Sequence, residues 1–463
     1  MRKGACPILN SFIERLILYA SLPVIMADDD TVPKYSPDGL SHDSAEEDPF
    51  ENARKAGKKN LLQWMEISVA EPEKRVVTSM KVQDTFIVYL VETRITDKNI
   101  KYNGDGTSSL WRRYSEFELL QNYLSITYPY TVVPPLPEKK ASYIWQNSPT
   151  DKFDLEFIER RRAALEIFML RVAAHPILSQ DRIFVGFMRQ EDGWKDSVYA
   201  TDFQSKAESR LKALNASFRL QNPDRQYEEL KNYCTELESN IANLLKIRAK
   251  MADKLYGIHK IHANYSRVFG EWSGIEKEMN EPLQSAAHYM NVYCQSVDSI
   301  LEEEEQYADQ LKEYLAFAES LRSVCRKYEC LQYDMERAED NLTYKKNQKE
   351  MLEQGKTGGT FSLSGMKTKI FGSDTPDQRD QKIKQLEEQI EQTQVELRTV
   401  TEELQKFVDA SMRDIDRFKR QKVKDLKEIF TNYAVMQIKQ CKRTCIFSRR
   451  RKYIYIHLKW NLE

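Results

Sequence analysis

From Leu283 to Gln354 the chain contains neither glycine nor proline. A run of that length with no helix breaker specifies one rod-like helix of about 100 Å. No compact core can bury such a rod, so it needs partners of matching length. The flanks supply them. Pro223 opens a preceding helical stretch, and Pro282, after Asn280-Glu281, is expected to separate it from the rod. Residues 355–372, rich in Gly, Ser, Thr and Lys, break the pattern, and a third helix is expected to begin near Pro376, where a proline suits the first turn. In that third helix Ile383, Leu386, Ile390, Thr393, Leu397, Val400, Leu404 and Phe407 recur at alternating steps of three and four. Ser411, Ile415 and Phe418 continue the seam after two successive four-residue steps, a stutter that locally relaxes a left-handed supercoil. Three helices this long must pack on each other and on a second chain. No repeat of fixed period is present, which argues against a solenoid.

Composition narrows the partners. Lys and Arg total 70 against 71 Asp and Glu, so there is no overall pull toward nucleic acid, and an anionic partner must be met by a local patch. The seven cysteines are scattered and odd in number, which is no disulfide framework and suits a reducing, cytosolic compartment. Cys325 with Cys330, and Cys441 with Cys445, lack zinc-ligand spacing with histidines, and His259 and His262 lack a third ligand. These histidines read as surface or packing residues. Gly355-Lys356-Thr357 echoes the end of a P-loop, but Glu350 stands where a glycine is required and no apolar strand precedes it. Neither catalysis nor a cofactor is expected. Leu16–Met26, interrupted by Pro23, is too short to span a bilayer. It resembles a signal-peptide core, with Arg2 and Lys3 ahead of it. Met26-Ala27-Asp28-Asp29-Asp30 reads as an alternative start, so residues 1–25 are taken as an extension, and residues 28–60 as disordered.

The segment after Trp64 changes texture. Phe86–Val91 and Leu110–Tyr114 read as strands, separated by the turn signal Asn103-Gly104-Asp105-Gly106. Ser115 is expected to cap a helix carrying Phe117, Leu120 and Leu124. Prolines 134, 135 and 137 force an extended segment, and Asp154–Ala174 reads as a helix facing Phe157, Leu165, Phe168 and Val172 inward. Ser179–Arg189 reads as one more helix, completing an α+β unit. Residues 199–221 form a basic amphipathic stretch along Phe203, Ala207, Leu211, Leu214 and Phe218, suited either to a membrane interface or to packing on the next domain.

Three segments of this unit carry phosphate chemistry: Trp111-Arg112-Arg113-Tyr114-Ser115-Glu116-Phe117, Lys139 behind its prolines, and Arg160-Arg161-Arg162. Guanidinium forks hold two phosphate oxygens at once, and an aromatic beside them packs against a sugar-like ring. The competing reading is an exposed ion-pair network with Glu116, Glu138 and Glu159. Three such segments in order favour the site.

WRRYSEFELL, VVPPLPEK and FIERRRAALEIFMLRVAAHPIL, followed by three long helices, resemble the sorting nexins that join a PX domain to a BAR domain. The resemblance spans about residues 64–441. It implies an α+β PX domain followed by an all-α BAR domain, a long three-helix antiparallel coiled-coil bundle that dimerises. The implied division is an extension at 1–60, PX at 61–195, an amphipathic linker helix at 196–222, BAR at 223–443 and an atypical basic tail at 444–463. Carried over by position, Arg113 would hold the 3-phosphate of phosphatidylinositol 3-phosphate, Tyr114 would stack on the inositol ring and Ser115 would line the site. Lys139 would hold the phosphate joining ring to glycerol, and Arg161 the free 4- and 5-hydroxyls. Arg112 and Arg162 would be structural or peripheral. The family's dimer turns a concave basic face to lipid, with candidates including Lys246, Arg248, Lys250, Lys254, Arg322, Lys327, Arg413, Arg417, Lys419, Arg420, Lys422 and Lys424. The implied protein is peripheral on early and recycling endosomes, senses tubules, recycles cargo receptors, contributes to autophagy, and pairs with itself or another PX-BAR sorting nexin. Nucleic acid is not among its implied partners. The alternative is a PX-targeted coiled-coil tether that leaves membrane shape unchanged.

Overall fold

The computed structural model describes residues 49–79, 82–100, 106–138, 154–190, 192–207, 220–354 and 376–460. A three-stranded antiparallel meander opens the fold: β1 (Met65–Ser79), β2 (Val82–Ile95) and β3 (Thr107–Arg113), in the order β1-β2-β3. β2 and β3 lie where the apolar runs placed them. β1 was not named from sequence, because Pro72 and the charges around it obscure its alternation, and the register shifts between Ala70 and Pro72.

β3 runs directly into helix α2 (Tyr114–Thr127), its last residue Arg113 serving as the N-cap position. Ser115 therefore does not cap this helix, contrary to the sequence expectation. Instead the Glu116 carboxylate accepts the Arg113 backbone N–H at 2.7 Å, the reverse half of a capping box. Helix α3 (Leu155–Ala174) is capped by Asp154, whose carboxylate accepts the Phe157 N–H at 3.1 Å. The helix expected over 179–189 divides at Asp181 into a single 3-10 turn, Leu178–Gln180, and α4 (Arg182–Arg189), because the Asp181 carboxylate accepts the Phe184 N–H at 2.9 Å and starts a new helix. Helix α5 (Trp194–Ala200) follows. Trp64, Tyr89, Phe117, Phe168, Phe184, Phe187 and Trp194 form the heart of one core.

Two outer segments differ from expectation. A helix, α1 (Pro49–Lys55), lies within the stretch read as disordered; Ala53 is buried, and Phe50 meets Trp64 edge-on at 5.1 Å. That apolar pair supplies the burial the segment's composition understates. Of the expected 199–221 helix, Phe203 is buried beside Tyr123 and Tyr199, which is packing and not membrane exposure; residues 208–219 lie outside the described residues.

The second unit is three long helices: α6 (Arg225–Ser273), α7 (Asn280–Glu353) and α8 (Pro376–Trp460). At 74 residues α7 is about 110 Å long. The break before it is at residues 274–279, not at Pro282, which sits in the first turn of α7 where its missing N–H costs nothing. Pairs such as Lys231–Glu329 and Ser266–Ala287 run α6 antiparallel to α7. Lys349–Glu387 and Arg443–Glu303 do the same for α8. The predicted seam on α8 faces inward, with Leu386, Phe407, Ile415 and Phe418 buried. Its one polar member among the regular steps, Thr393, receives a hydrogen bond from Lys345 at 2.8 Å. The backbone of α8 continues helical to Trp460, through most of the stretch read as a separate tail.

One face of α3 docks on the bundle. Arg160 forks onto Asp309 at 2.7 Å and reaches Glu305 at 2.9 Å. Arg171 holds Glu313 and Asp425, each at 2.8 Å. Glu305, Asp309 and Glu313 recur every four residues, so they line one side of α7. Below them the buried His175 ring meets Asp414 of α8 at 2.8 Å. His175 Nδ1 accepts the N–H groups of Ile177 and Leu178, which leaves Nε2–H to donate to Asp414. Burial, outweighing the pull of Asp414, lowers the affinity of this imidazole for a second proton.

Candidate functional site

Strand geometry decides the roles of the two consecutive arginines. Neighbouring side chains in β3 point to opposite faces. Arg112 turns into the core, 2% exposed, and donates to the carbonyls of Phe187 (3.0 Å) and Gln190 between the rings of Phe187 and Trp194. It is structural, one of the two roles expected for it, and not peripheral. Arg113 turns to the other face, half-buried, its guanidinium 3.4 Å over the ring of Phe86.

Helix geometry sorts the second cluster, since successive positions on α3 differ by about 100°. Arg160 goes to the bundle. Arg162 ties the helix to the sheet through the Val69 carbonyl and pairs with Glu159 (2.7 Å) and Glu166 (2.8 Å). Arg161 lies between, 4.8 Å from the Tyr114 ring and 4.2 Å from that of Phe157. Tyr114 in turn donates its hydroxyl to the Pro137 carbonyl at 2.6 Å, which fixes the proline segment against α2. Burial, with the Glu118 charge beside it, pushes the Tyr114 phenol up to about 12, so it remains a neutral donor. Tyr114 and Arg161 thus meet beside the junction of β3 and α2 that carries Arg113. Ser115 is exposed beside them, and Lys139 lies outside the described residues.

The aromatic cradle was missed from sequence. Phe86, Tyr89 and Phe157 were read as strand or helix core, yet Phe86 and Phe157 floor the two guanidiniums. Burial raises the Tyr89 phenol while nearby Arg161 opposes that rise. The available signal was Phe86 and Val88 on one face of the strand that pairs with Arg113. Rings beneath guanidiniums hold the planes flat, with their N–H edges outward. Flat, rigid forks beside a neutral phenol can grip a ring-bound phosphate and its hydroxyls. Of the acids in the competing ion-pair reading, Glu116 meets Lys195 (3.2 Å) and Arg112, and Glu159 meets Arg162, the flanking arginines of the two clusters.

The long helices revise the basic candidates. Arg248 is buried against Glu304 and Glu305, Lys327 donates to the Ser125 carbonyl at 2.9 Å, Arg322 pairs with Glu238 and Glu319, Arg417 with Asp414, and Lys422 reaches the Tyr233 hydroxyl. These five hold the protein together. Lys246, Lys250 and Lys254 on α6, and Arg413, Lys419, Arg420 and Lys424 on α8, are exposed. Among the described residues no helix is long and apolar enough to cross a membrane.

A family model described as the PX domain matches residues 100–191. Sorting nexin-4 of Bos taurus is 56% identical over 387 residues, covering 82% of this chain and 85% of that protein. Sorting nexin-4 of Homo sapiens is 54% identical with the same coverage. A chain in the cryo-EM structure of the SNX-BAR Mvp1 tetramer is 15% identical with a TM-score of 0.47, covering 83% of this chain and 99% of that one.

Proposed function

Since the chain belongs to the PX-BAR sorting nexins, in the sorting nexin-4 group, we propose that it reads phosphatidylinositol 3-phosphate on endosomes and assembles as a curvature-sensitive dimer. The family places its role, which is non-enzymatic, in endosomal membrane trafficking. The observation that carries the lipid reading is Arg161 set against the rings of Tyr114 and Phe157, with Arg113, next to Tyr114 in the chain, over the ring of Phe86. Arg113 takes the 3-phosphate, Arg161 the adjacent hydroxyls, Tyr114 the ring, and Ser115 and Lys139 complete the site. Arginine aimed at two hydroxyls leaves no room for phosphates there, which selects the singly phosphorylated ring.

The bundle supports the second half of the proposal. On α6, Ile247, Met251, Ile258, Ile261, Tyr265 and Trp272 are exposed at steps of four, seven, three, four and seven, an apolar stripe with heptad spacing. A second copy, or another PX-BAR sorting nexin, fits that stripe. The exposed lysines and arginines of α6 and α8 face anionic lipid, each contributing about 1 kcal/mol near such a surface. The dimer would then recycle cargo receptors and serve autophagy-related traffic from tubular membrane.

Calorimetry of the full chain with vesicles tests the head-group site. Arg113→Ala should weaken binding to phosphatidylinositol 3-phosphate by about a hundredfold, or about 3 kcal/mol, with unfolding unchanged. Equal affinity for that lipid and its unphosphorylated parent would remove the reading. Tubulation of the same vesicles tests the helical half; vesicles that bind protein and stay spherical would favour a tether.

A further inference from the structure

We propose that Cys234 and Cys325, which face each other across the seam between α6 and α7, are a modification site at which hydrogen peroxide forms a reversible disulfide. Of the five cysteines among the described residues, these two share one core cluster. Periodicity and cross-helix pairs place them. On α6, Tyr227, Leu230, Cys234, Leu237 and Ile241 recur at steps of three and four, the spacing of a seam that faces a partner helix. On α7, Leu321, Cys325 and Tyr328 do the same. Two pairs fix the antiparallel register: Lys231 meets Glu329 at 2.6 Å, and Glu238 meets Arg322. Cys234 lies between the two α6 members of those pairs, and Cys325 between the two α7 members. One layer away, the rings of Tyr227 and Tyr328 stack at 3.5 Å.

The surroundings divide the roles. A hydrogen bond from Cys325, with the charge of Arg322, holds the Cys234 thiol below its ordinary value against the effect of burial. The same bond, then burial, pushes Cys325 up. Cys234 is therefore the attacking thiolate and Cys325 the resolving thiol. The thiolate attacks one peroxide oxygen: an S–O bond forms, the O–O bond breaks, and the departing hydroxide takes the proton Cys234 released, giving water. The Cys325 sulfur then attacks the resulting sulfenic acid: the S–S bond forms, the S–O bond breaks, and the leaving hydroxide takes the Cys325 proton as a second water. Two thiols lose two electrons and one peroxide gains them. Burial selects the oxidant, since the two residues are 0% and 1% exposed. Hydrogen peroxide is scarcely larger than water and enters through local openings of the packing, which exclude a bulky disulfide such as oxidised glutathione. The loop so closed, residues 234–325, contains both the apolar stripe of α6 and the α7 acids that seat the PX domain.

The test treats the full chain with hydrogen peroxide, blocks remaining thiols with N-ethylmaleimide in urea, and reads the tryptic peptides by mass spectrometry without reduction. A peptide pair joining Cys234 to Cys325 should form at least about tenfold faster in the folded chain than in the urea-unfolded one, because the fold holds the sulfurs together. Dithiothreitol should separate it, and the urea midpoint of the oxidised chain should lie above that of the reduced chain. Cys325→Ala should leave Cys234 as the sulfenic acid, captured as a dimedone adduct on unfolding, whereas Cys234→Ala should leave no such adduct at Cys325. Oxidation of the exposed Cys441 verifies that peroxide was active. Absence of the joined pair while Cys441 is oxidised, equal rates in folded and unfolded chains, or equal rates with oxidised glutathione would overturn the proposal. A dimedone adduct at Cys325 in Cys234→Ala would overturn it as well. The joined pair is read on the unsubstituted chain, so it stands apart from any folding defect of the variants. Neither cysteine belongs to the head-group site, so the outcome is also independent of lipid binding.

Discussion

Asp414→Ala lowers the unfolding free energy of the chain by about 3–5 kcal/mol, the range for removing one partner of a buried charged cluster. The carboxylate is 5% exposed and receives three donors: His175 Nε2–H at 2.8 Å, the Val132 N–H at 2.8 Å and Arg417 at 2.9 Å. Two of these come from the PX domain, so their loss also loosens its seat on the bundle. Urea unfolding of the full chain measures the change; a midpoint shift no larger than that of an exposed control substitution would refute it. The same cluster fixes a dependence on pH. Burial pushes Asp414 up, but His175 and Arg417 outweigh it and hold the carboxyl at about 2, against an ordinary 3.8. His175 is held below its ordinary 6.5 by burial. Both groups bind protons more readily in the unfolded chain, so both contribute stability at neutral pH that is lost on acidification. Loss begins as pH falls below 6.5, through His175, and continues from 3.8 down to about 2, through Asp414. His175→Gln should flatten the upper step, read as urea midpoints compared between about pH 8 and pH 5.

The second large effect concerns the stripe on α6. Ile247→Glu with Ile261→Glu places two carboxylates on side chains that are 57% and 56% exposed in the single chain. The folded monomer tolerates them, since they remain in water. An interface built on the stripe must desolvate both charges, and its dissociation constant should rise by at least about a thousandfold, or about 4 kcal/mol. Sedimentation at micromolar concentration should show the mass halve for a self-pair, or the partner lost from a mixed pair. An unchanged assembly would move the interface elsewhere.

What the sequence disclosed followed range. The α8 seam was legible because Leu386 through Phe418 are linked by local steps of three and four, and each step faces inward. The strands β2 and β3 and helix α3 were legible for the same reason. The candidate site residues were legible as chemistry, since arginine beside tyrosine in a strand-to-helix turn suits a ring-bound phosphate. Their floor was not, because Phe86 and Phe157 are ordinary core residues until the chain brings them under guanidiniums. The junction between the two units was invisible. Arg160 finds Asp309, and His175 finds Asp414, across long separations that no periodicity links. Basic residues of the long helices misled for a related reason: Arg248 and Lys327 look like solvated charges until their buried partners are known.

Helix α3 is clamped from behind by α7 and α8 while its other side presents Arg161. On the proposed reading, each head-group site is therefore bolted to a rod and has no swivel of its own. In the proposed pair, the first landing would preset the height, tilt and span of the second, which would then forfeit little rotational freedom on arrival. A reader on a loose leash would count head groups wherever they drifted. One fixed as here would count those whose separation matches the rod.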